Sequence, residues 1–318
     1  VTLVIGADEA GYGPNLGPLV VAVTAWDVAA APDEAGPLLD AALAAAAAAA
    51  GTAGSAPRWA DSKRVYQGGA GFAELERAAL IALAAAGDGV PADWRQLVAT
   101  VGAGESADGA APESAARHGL TLPLEVADAA QLAAGAANVR AALVTRRVER
   151  VTIACAIVEP GAFNALLRAG LNKSDVLSRT TLDLVARAVR PGSPAVVCCD
   201  RHGGRKRYAP LLVRHFGTPL VRVDEETAER SAYTLPDAAV GVEFRVRAEA
   251  RPPVAVASVV AKYLRELAMR AFNRHWQALA PGLRATAGYP VDAARWRGDA
   301  ADAVRRAGVP WESIWRRA

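Results

Sequence analysis

Residues 2–7 form an apolar run that stops at two acids, Asp8 and Glu9. A short apolar run closed by turn residues predicts a buried strand. A second apolar run at 18–28 predicts a strand paired to the first through the glycine-rich turn at 10–17. Helical periodicity is expected over the alanine-rich stretch 33–50 and over 71–86, with a loop between them. Residues 87–138 carry Gly, Ala, Pro and Asp without a clear period and read as an insertion. Beyond it, strands are expected at 139–148 and 151–158, and helices at 161–169 and 174–190. A buried strand at 194–200 ends on Asp200. A helix at 205–216, strands near 219–224 and 241–248, and a long helix from about 253 to 279 complete the pattern. Strands first, then helices alternating with strands, imply an α/β layered fold with a mixed central sheet flanked by helices.

Composition narrows this picture only a little. The chain has 318 residues, 52% of them hydrophobic and 22% charged, which is ordinary for a globular protein. Alanine inflates the apolar fraction, as in the run from Ala41 to Ala50, and no stretch is rich enough in large apolar residues to span a membrane. The opening Val-Thr-Leu-Val-Ile runs straight into acids and reads as a strand, not a signal peptide. Cys155, Cys198 and Cys199 form no zinc spacing. Their odd number argues against a disulfide framework, so a reducing cytosol is expected. The net charge of +3 decides little, but its distribution adds something. Arg201, Arg205, Lys206 and Arg207 crowd one stretch, and Arg295, Arg297, Arg305, Arg306, Arg316 and Arg317 load the C-terminal part. Such clusters suit phosphate backbones, although on composition alone a solvated surface is the plainer explanation. Trp296, Trp311 and Trp315 are expected to serve packing.

Candidate chemistry lies in three stretches. Asp8 and Glu9 close the first strand, followed by Gly11-Tyr12-Gly13. Side chains alternate along a strand, so the two acids should face opposite ways unless the strand ends there. Carboxylates leaving an apolar strand need water, a base or a metal, though an ordinary turn is the plainer reading. The glycine spacing is one residue too long for a dinucleotide fingerprint, and a strand follows it instead of a helix. Asp200 likewise ends an apolar strand and precedes Arg201 and Arg205, which fits either a salt bridge or a metal ligand beside phosphate-gripping bases. On the long helix, Glu266 lies outside the apolar stripe of Val260, Leu264, Leu267 and Ala271. A surface pair with Arg270 would explain it.

Taken together and in order, these segments resemble the ribonuclease HII and HIII family. Asp8-Glu9-Ala10-Gly11-x-Gly13-Pro14 with Gly17-Pro18-Leu19-Val20-Val21 is similar to the family's opening motif, and Asp61-Ser62-Lys63 to its next one. Asp200 stands where the family has an acid closing a strand. Ala257-Ser258-Val259-Val260-Ala261-Lys262 resembles its helix motif, and Gly288-Tyr289-Pro290 a late Gly-Tyr-Pro motif. The likeness covers 1–28, 58–86 and about 151–292. The chain departs from it in three ways. Tyr12 stands where Arg or Lys is usual, the histidine expected after Gly-Tyr is missing, and the fourth acid is Glu266, as in the HIII branch, without that branch's extra N-terminal domain.

The resemblance implies a ribonuclease H-like catalytic domain over 1–318, with an insertion at about 87–150 and a helical C-terminal extension from about 280. It implies cleavage of the RNA strand of RNA–DNA hybrids, or of ribonucleotides embedded in DNA. Asp8, Glu9, Asp200 and Glu266 would hold Mg²⁺ or Mn²⁺, ions that take oxygen ligands, in a two-metal arrangement with the ions about 3.5–4 Å apart. Gly11, Tyr12 and Gly13 would approach a ribose 2′-OH, and Tyr289 would pack on a sugar beside the cut. Lys63 and Lys262 would contact phosphate or the acids, and Arg201, Arg205 and Lys206 a phosphate track. The helix opened by Asn172-Lys173-Ser174 could hold a phosphate, or simply be capped there. Two other readings stay open: a metal-dependent nuclease of the same fold acting on DNA or junctions, and a non-catalytic nucleic-acid-binding protein.

Overall fold

The computed structural model describes residues 1–52, 54–67, 71–103, 111–126 and 128–317. Strand β1 (Thr2–Ala10) pairs antiparallel with β2 (Leu19–Val28), as their apolar runs predict. A first helical group follows: α1 (Pro32–Gly51), α2 (Ser62–Val65), α3 (Gly71–Ala86), α4 (Trp94–Thr100), α5 (Ser114–His118) and α6 (Ala129–Val144). Next come β3 (Val148–Val158), α7 (Pro160–Arg168), α8 (Lys173–Ala188), β4 (Ala195–Asp200) and α9 (Ala209–Phe216). Strands β5 (Arg222–Glu226), β6 (Arg230–Leu235) and β7 (Val240–Arg245) lead to the long α10 (Pro252–Leu279), then α11 (Pro290–Asp299) and α12 (Ala301–Arg306).

The strands form one mixed sheet in the order β3-β2-β1-β4-β7-β6-β5. At its centre β1, β4 and β7 run parallel, and the outer pairs are antiparallel. One face packs on α1, α3, α6 and α10, with Val4, Val20, Trp26, Leu43, Leu80, Val139 and Val260 in the core. The other face, with Leu3, Ile5, Val21 and Val197, packs on α7, α8 and α9. The layered α/β fold with a mixed central sheet is therefore as the strand and helix pattern predicts.

Three local expectations are corrected. Residues 139–148 are the end of α6 and the turn into β3, not a strand. Leu132, Ala136, Val139 and Leu143 are buried at helical spacing, and Asp128 caps the helix by accepting from the Ala130 and Gln131 amides. The expected strand at 219–224 starts only at Arg222, and β6 is not foreseen at all, because both are short and rich in polar or charged residues. Helix α9 starts at Ala209, not 205. Part of the unreadable stretch, 104–110, lies outside the described residues.

Buried carboxylates tie the segment 111–126 to the core. Glu76 accepts the amides of Leu124, Glu125 and Val126 and the Tyr263 hydroxyl. Arg117 pairs with both Glu113 and Glu159. Trp296 packs with Phe272 and Trp276 at the C-terminal end of α10, and Trp311 and Trp315 close over that cluster.

Candidate functional site

The parallel register of β1 and β4 sets Leu3 beside Ala195 and Ala7 beside Cys199. One residue on, Asp8 and Asp200 fall side by side on neighbouring strands, about 4.8 Å apart in the hydrogen-bonding direction. Alternation places both on the face covered by α10. The β1–β4 pairing ends at Ala7, so Glu9, still paired with Val21 of β2, has no β4 neighbour and its side chain can join that group. Carboxylate oxygens of Asp8, Glu9 and Asp200 all lie within 4.8 Å of one another. The two adjacent acids thus meet, although strand alternation alone sets them on opposite faces.

Helix α10 sits tightly on this strand end. A Cβ at Gly6 would lie 2.5 Å from the Pro253 carbonyl oxygen, so only glycine lets the helix start so close. Thr24 Oγ1 donates to the same carbonyl at 2.9 Å. This docking brings Ser258 to the acids, where its hydroxyl also lies 3.0 Å from Ser62 Oγ. Ser62 belongs to α2, which Asp61 caps by accepting the Lys63 amide at 2.9 Å. The Asp61-Ser62-Lys63 motif therefore forms one wall of a cavity of about 190 Å³ whose floor is Asp8, Glu9 and Asp200.

Electrostatics mark this cavity. Burial, then the Asp200 charge, push Asp8 up from 3.8 to about 7, against hydrogen bonds from Ser258 and from the Glu9 amide at 2.8 Å. Glu9 is raised well above the usual range by burial and by Asp8 and Asp200, with Lys63 opposing. Burial also raises Asp200, while the Ala248 amide, donating at 3.1 Å, holds it down.

Glu249 is a member the sequence pattern did not single out. It lies in the single turn Ala248–Ala250 between β7 and α10, lines the cavity, and its charge helps to raise both Asp8 and Asp200. A usable signal existed. Glu249 follows an alternating strand just as Asp200 follows an apolar one, and it precedes the Pro252-Pro253 helix start.

Glu266, expected as the fourth acid, is not brought to this group. From Ser258 to Glu266 is eight helical residues, or about 12 Å along the axis. Among the described residues, the three-acid group excludes it. Glu266 accepts from Lys262 at 2.5 Å and lies 3.6 Å from the Arg265 guanidinium. Lys262, expected near phosphate or the acids, is held there and lies 4.7 Å from the centre of the Tyr66 ring. The expected surface pair of Glu266 with Arg270 is also replaced, since Arg270 pairs with Glu125.

The other expected contacts divide in the same way. Lys63 lines the cavity. Arg201 is buried and donates to the Thr227 and Ala228 carbonyls and to Ser231 Oγ, so it braces the β5–β6 turn and offers nothing to a phosphate track. Arg205 pairs with Asp175 beside Ser174, on the rim of an open groove shared with Lys206 and Arg207. Asn172 caps α8 through a full capping box with Asp175.

Gly11 takes φ +91°, and a Cβ there would lie 2.5 Å from the Pro18 carbonyl oxygen. Gly13 has no such restriction; its nearest neighbour would be Tyr289 Cε1 at 3.8 Å. Tyr12 leans from this loop toward Gly203, with Lys173 Nζ 4.8 Å from its ring centre. Gly288 accepts the Asn15 and Leu16 amides at 2.8 and 3.2 Å. The late Gly-Tyr-Pro motif therefore stands against the glycine loop, with Tyr289 48% exposed and open to a ligand.

No family model and no curated protein matches the chain. Solved structures similar to it include the PCNA:RNase HII complex from Archaeoglobus fulgidus, at 15% identity and a TM-score of 0.48, covering 98% of this chain and 93% of that one. Bst-RNase HIII in complex with Mn²⁺ is similar at 17% identity and a TM-score of 0.46, covering 99% of this chain and 66% of that one. Ribonuclease H2 from Pyrococcus horikoshii OT3 is similar at 14% identity and a TM-score of 0.45, covering 98% and 92%.

Proposed function

We propose that this protein is a metal-dependent endonuclease that hydrolyses the RNA strand of an RNA–DNA hybrid, or a ribonucleotide embedded in DNA. The observation behind this reading is the convergence of Asp8, Glu9 and Asp200 at the carboxyl ends of two adjacent parallel strands, with Glu249 entering after the third. Ligand sites of open α/β sheets favour that edge.

The donor set fits Mg²⁺ or Mn²⁺. It is all oxygen, without His or Cys, and its raised carboxyl pKa values reflect burial and repulsion that a cation would relieve. Bound there, such ions supply charge relief on the phosphoryl oxygens and an acidified water. Asp8, Glu9 and Asp200 would hold them, with Glu249 as the fourth acid. Lys63 places a positive charge beside the acids and within reach of a phosphate. The Tyr12 amide is offered to a 2′-OH, and Tyr289 gives a sugar an exposed ring to pack on. Lys206 and Arg207, with Arg205, supply cations for backbone phosphates farther along the duplex.

The test is to incubate the full chain with labelled hybrid, single-ribonucleotide duplex and all-DNA duplex, each with Mg²⁺ and with Mn²⁺. Metal-dependent cleavage of the ribonucleotide-containing substrates alone is expected. Equal cleavage of plain DNA would replace this reading with a DNA nuclease, and binding without cleavage would replace it with a non-catalytic binder.

A further inference from the structure

Arg316 is 1% exposed and lies beneath the glycine loop. Its Nη2 donates to the carbonyls of both Gly11 and Pro14. The backbone is tied at the same place: Arg316 N donates to Asn15 O at 2.7 Å, Asn15 Nδ2 to Arg316 O at 3.1 Å, and Leu16 bridges to Trp315. Asn164 on α7 anchors the other side, donating to Trp315 O at 2.8 Å and accepting the Arg317 amide at 2.9 Å.

A trans peptide points its carbonyl and the following N–H in opposite directions. With the Gly11 carbonyl turned inward onto Arg316, the Tyr12 N–H is turned outward. Among the described residues, the Tyr12 and Gly13 amides have no acceptor within the protein. The arrangement is costly to keep. Arg316 Nε and Nη1 are buried without partners, and Arg265, also 1% exposed, is a second buried guanidinium close by. Arg265 packs against Gly11, where a Cβ would lie 2.6 Å from its Nε, and donates to the Ala287 carbonyl just before Gly288-Tyr289. An apolar side chain would fill this space at lower cost, so packing alone does not account for two cations there.

We propose that Arg316 is a positioning residue that turns the Gly11–Tyr12 peptide so that the Tyr12 N–H faces the cleft, where it selects a 2′-hydroxyl. The selective part rests on the function proposed above. Lysine should replace the guanidinium only in part, because one ammonium does not reproduce the planar fork that meets two carbonyls.

The test compares wild type, Arg316→Lys and Arg316→Met as full chains. Hydrogen exchange of the segment 9–16 should speed up roughly tenfold or more in Arg316→Met, the scale of one lost hydrogen bond to a charged group. Mn²⁺ affinity should stay within about twofold, because no acid ligand is touched. Cleavage at a single ribonucleotide should lose kcat by roughly tenfold or more, with KM little changed, and Arg316→Lys should fall between. Unchanged exchange in the segment would overturn the tether. Faster exchange with unchanged ribonucleotide kcat would overturn the selective role. A wild-type protein that fails to prefer ribonucleotides would overturn the function reading and with it the selective role, while exchange still decides the tether.

Discussion

Lys262 donates to Glu266 at 2.5 Å across one turn of α10, and both side chains are mostly buried. That pair occupies the acid a sequence reading assigns to metal, while Glu249 stands in the cavity instead. Glu249→Gln should therefore lower metal-dependent cleavage by roughly 10- to 100-fold, the range for losing a group that supports bound metal. Glu266→Gln should leave kcat within a few-fold but cost roughly 3 kcal/mol of stability, because it leaves the buried Lys262 and Arg265 without their carboxylate. Steady-state kinetics with a denaturant titration on both variants checks this. The reverse order of effects would return Glu266 to the site.

The raised Asp8 pKa has a signed consequence for the metal-free protein. Between 3.8 and about 7 the native state binds more protons at Asp8 than the unfolded chain does. Stability of the metal-free form should fall as pH rises through that window and level off above it. Asp8→Asn should flatten this slope. Mn²⁺ should raise the melting temperature more at about pH 8 than at about pH 5.5, because protons compete for the ligands. Thermal melts across pH, with and without metal, measure both; a metal effect independent of pH would reject the acid cluster as the binding site.

Arg201 and Arg205 should behave differently despite their closeness in sequence. Arg201→Ala removes donors to two carbonyls and Ser231 and should cost about 1.5–3 kcal/mol of stability without changing the salt dependence of hybrid binding. A double replacement of Lys206 and Arg207, which share the groove with Arg205, should spare the fold. It should reduce that dependence by about 0.9 log unit per log unit of salt for each phosphate no longer neutralised. Binding isotherms at several salt concentrations decide it, and an unchanged slope would remove the groove from the nucleic-acid path.

The two loop glycines should not be equivalent. Gly11→Ala must place a Cβ at φ +91° and 2.5 Å from the Pro18 carbonyl, so a loss of at least about 2 kcal/mol is expected. Gly13→Ala meets only Tyr289 at ordinary contact distance and should change stability by less than about 1 kcal/mol. Chemical denaturation of both variants compares them directly, and equal losses would contradict the loop geometry.

The sequence by itself determined the sheet and its acids where the pattern was strong. The apolar runs at 2–7, 18–28 and 194–200 could satisfy burial only as strands, and each catalytic candidate that closes such a run, Asp8, Glu9 or Asp200, reached the cluster. Weak or mixed periodicity hid the rest. The end of α6 reads as a strand because Ala, Leu and Val suit either element until Leu132, Ala136, Val139 and Leu143 find a common face to bury.

Tertiary structure alone decided which charged residues act together. Glu249 precedes α10 and Glu266 lies within it, and either could serve a site beside that helix. The seating of Pro253 on Gly6 fixes where α10 lies, and Glu249, just ahead of its first turn, then lines the cavity with Asp200. Arg201 and Arg205 belong to one basic run, yet one turns inward to carbonyls and the other outward to a groove. Arg316 meets Gly11 across nearly the whole chain. Local pattern reports which residues can be buried; which partner compensates a buried charge depends on contacts between distant segments, and those exist only once the layers have packed.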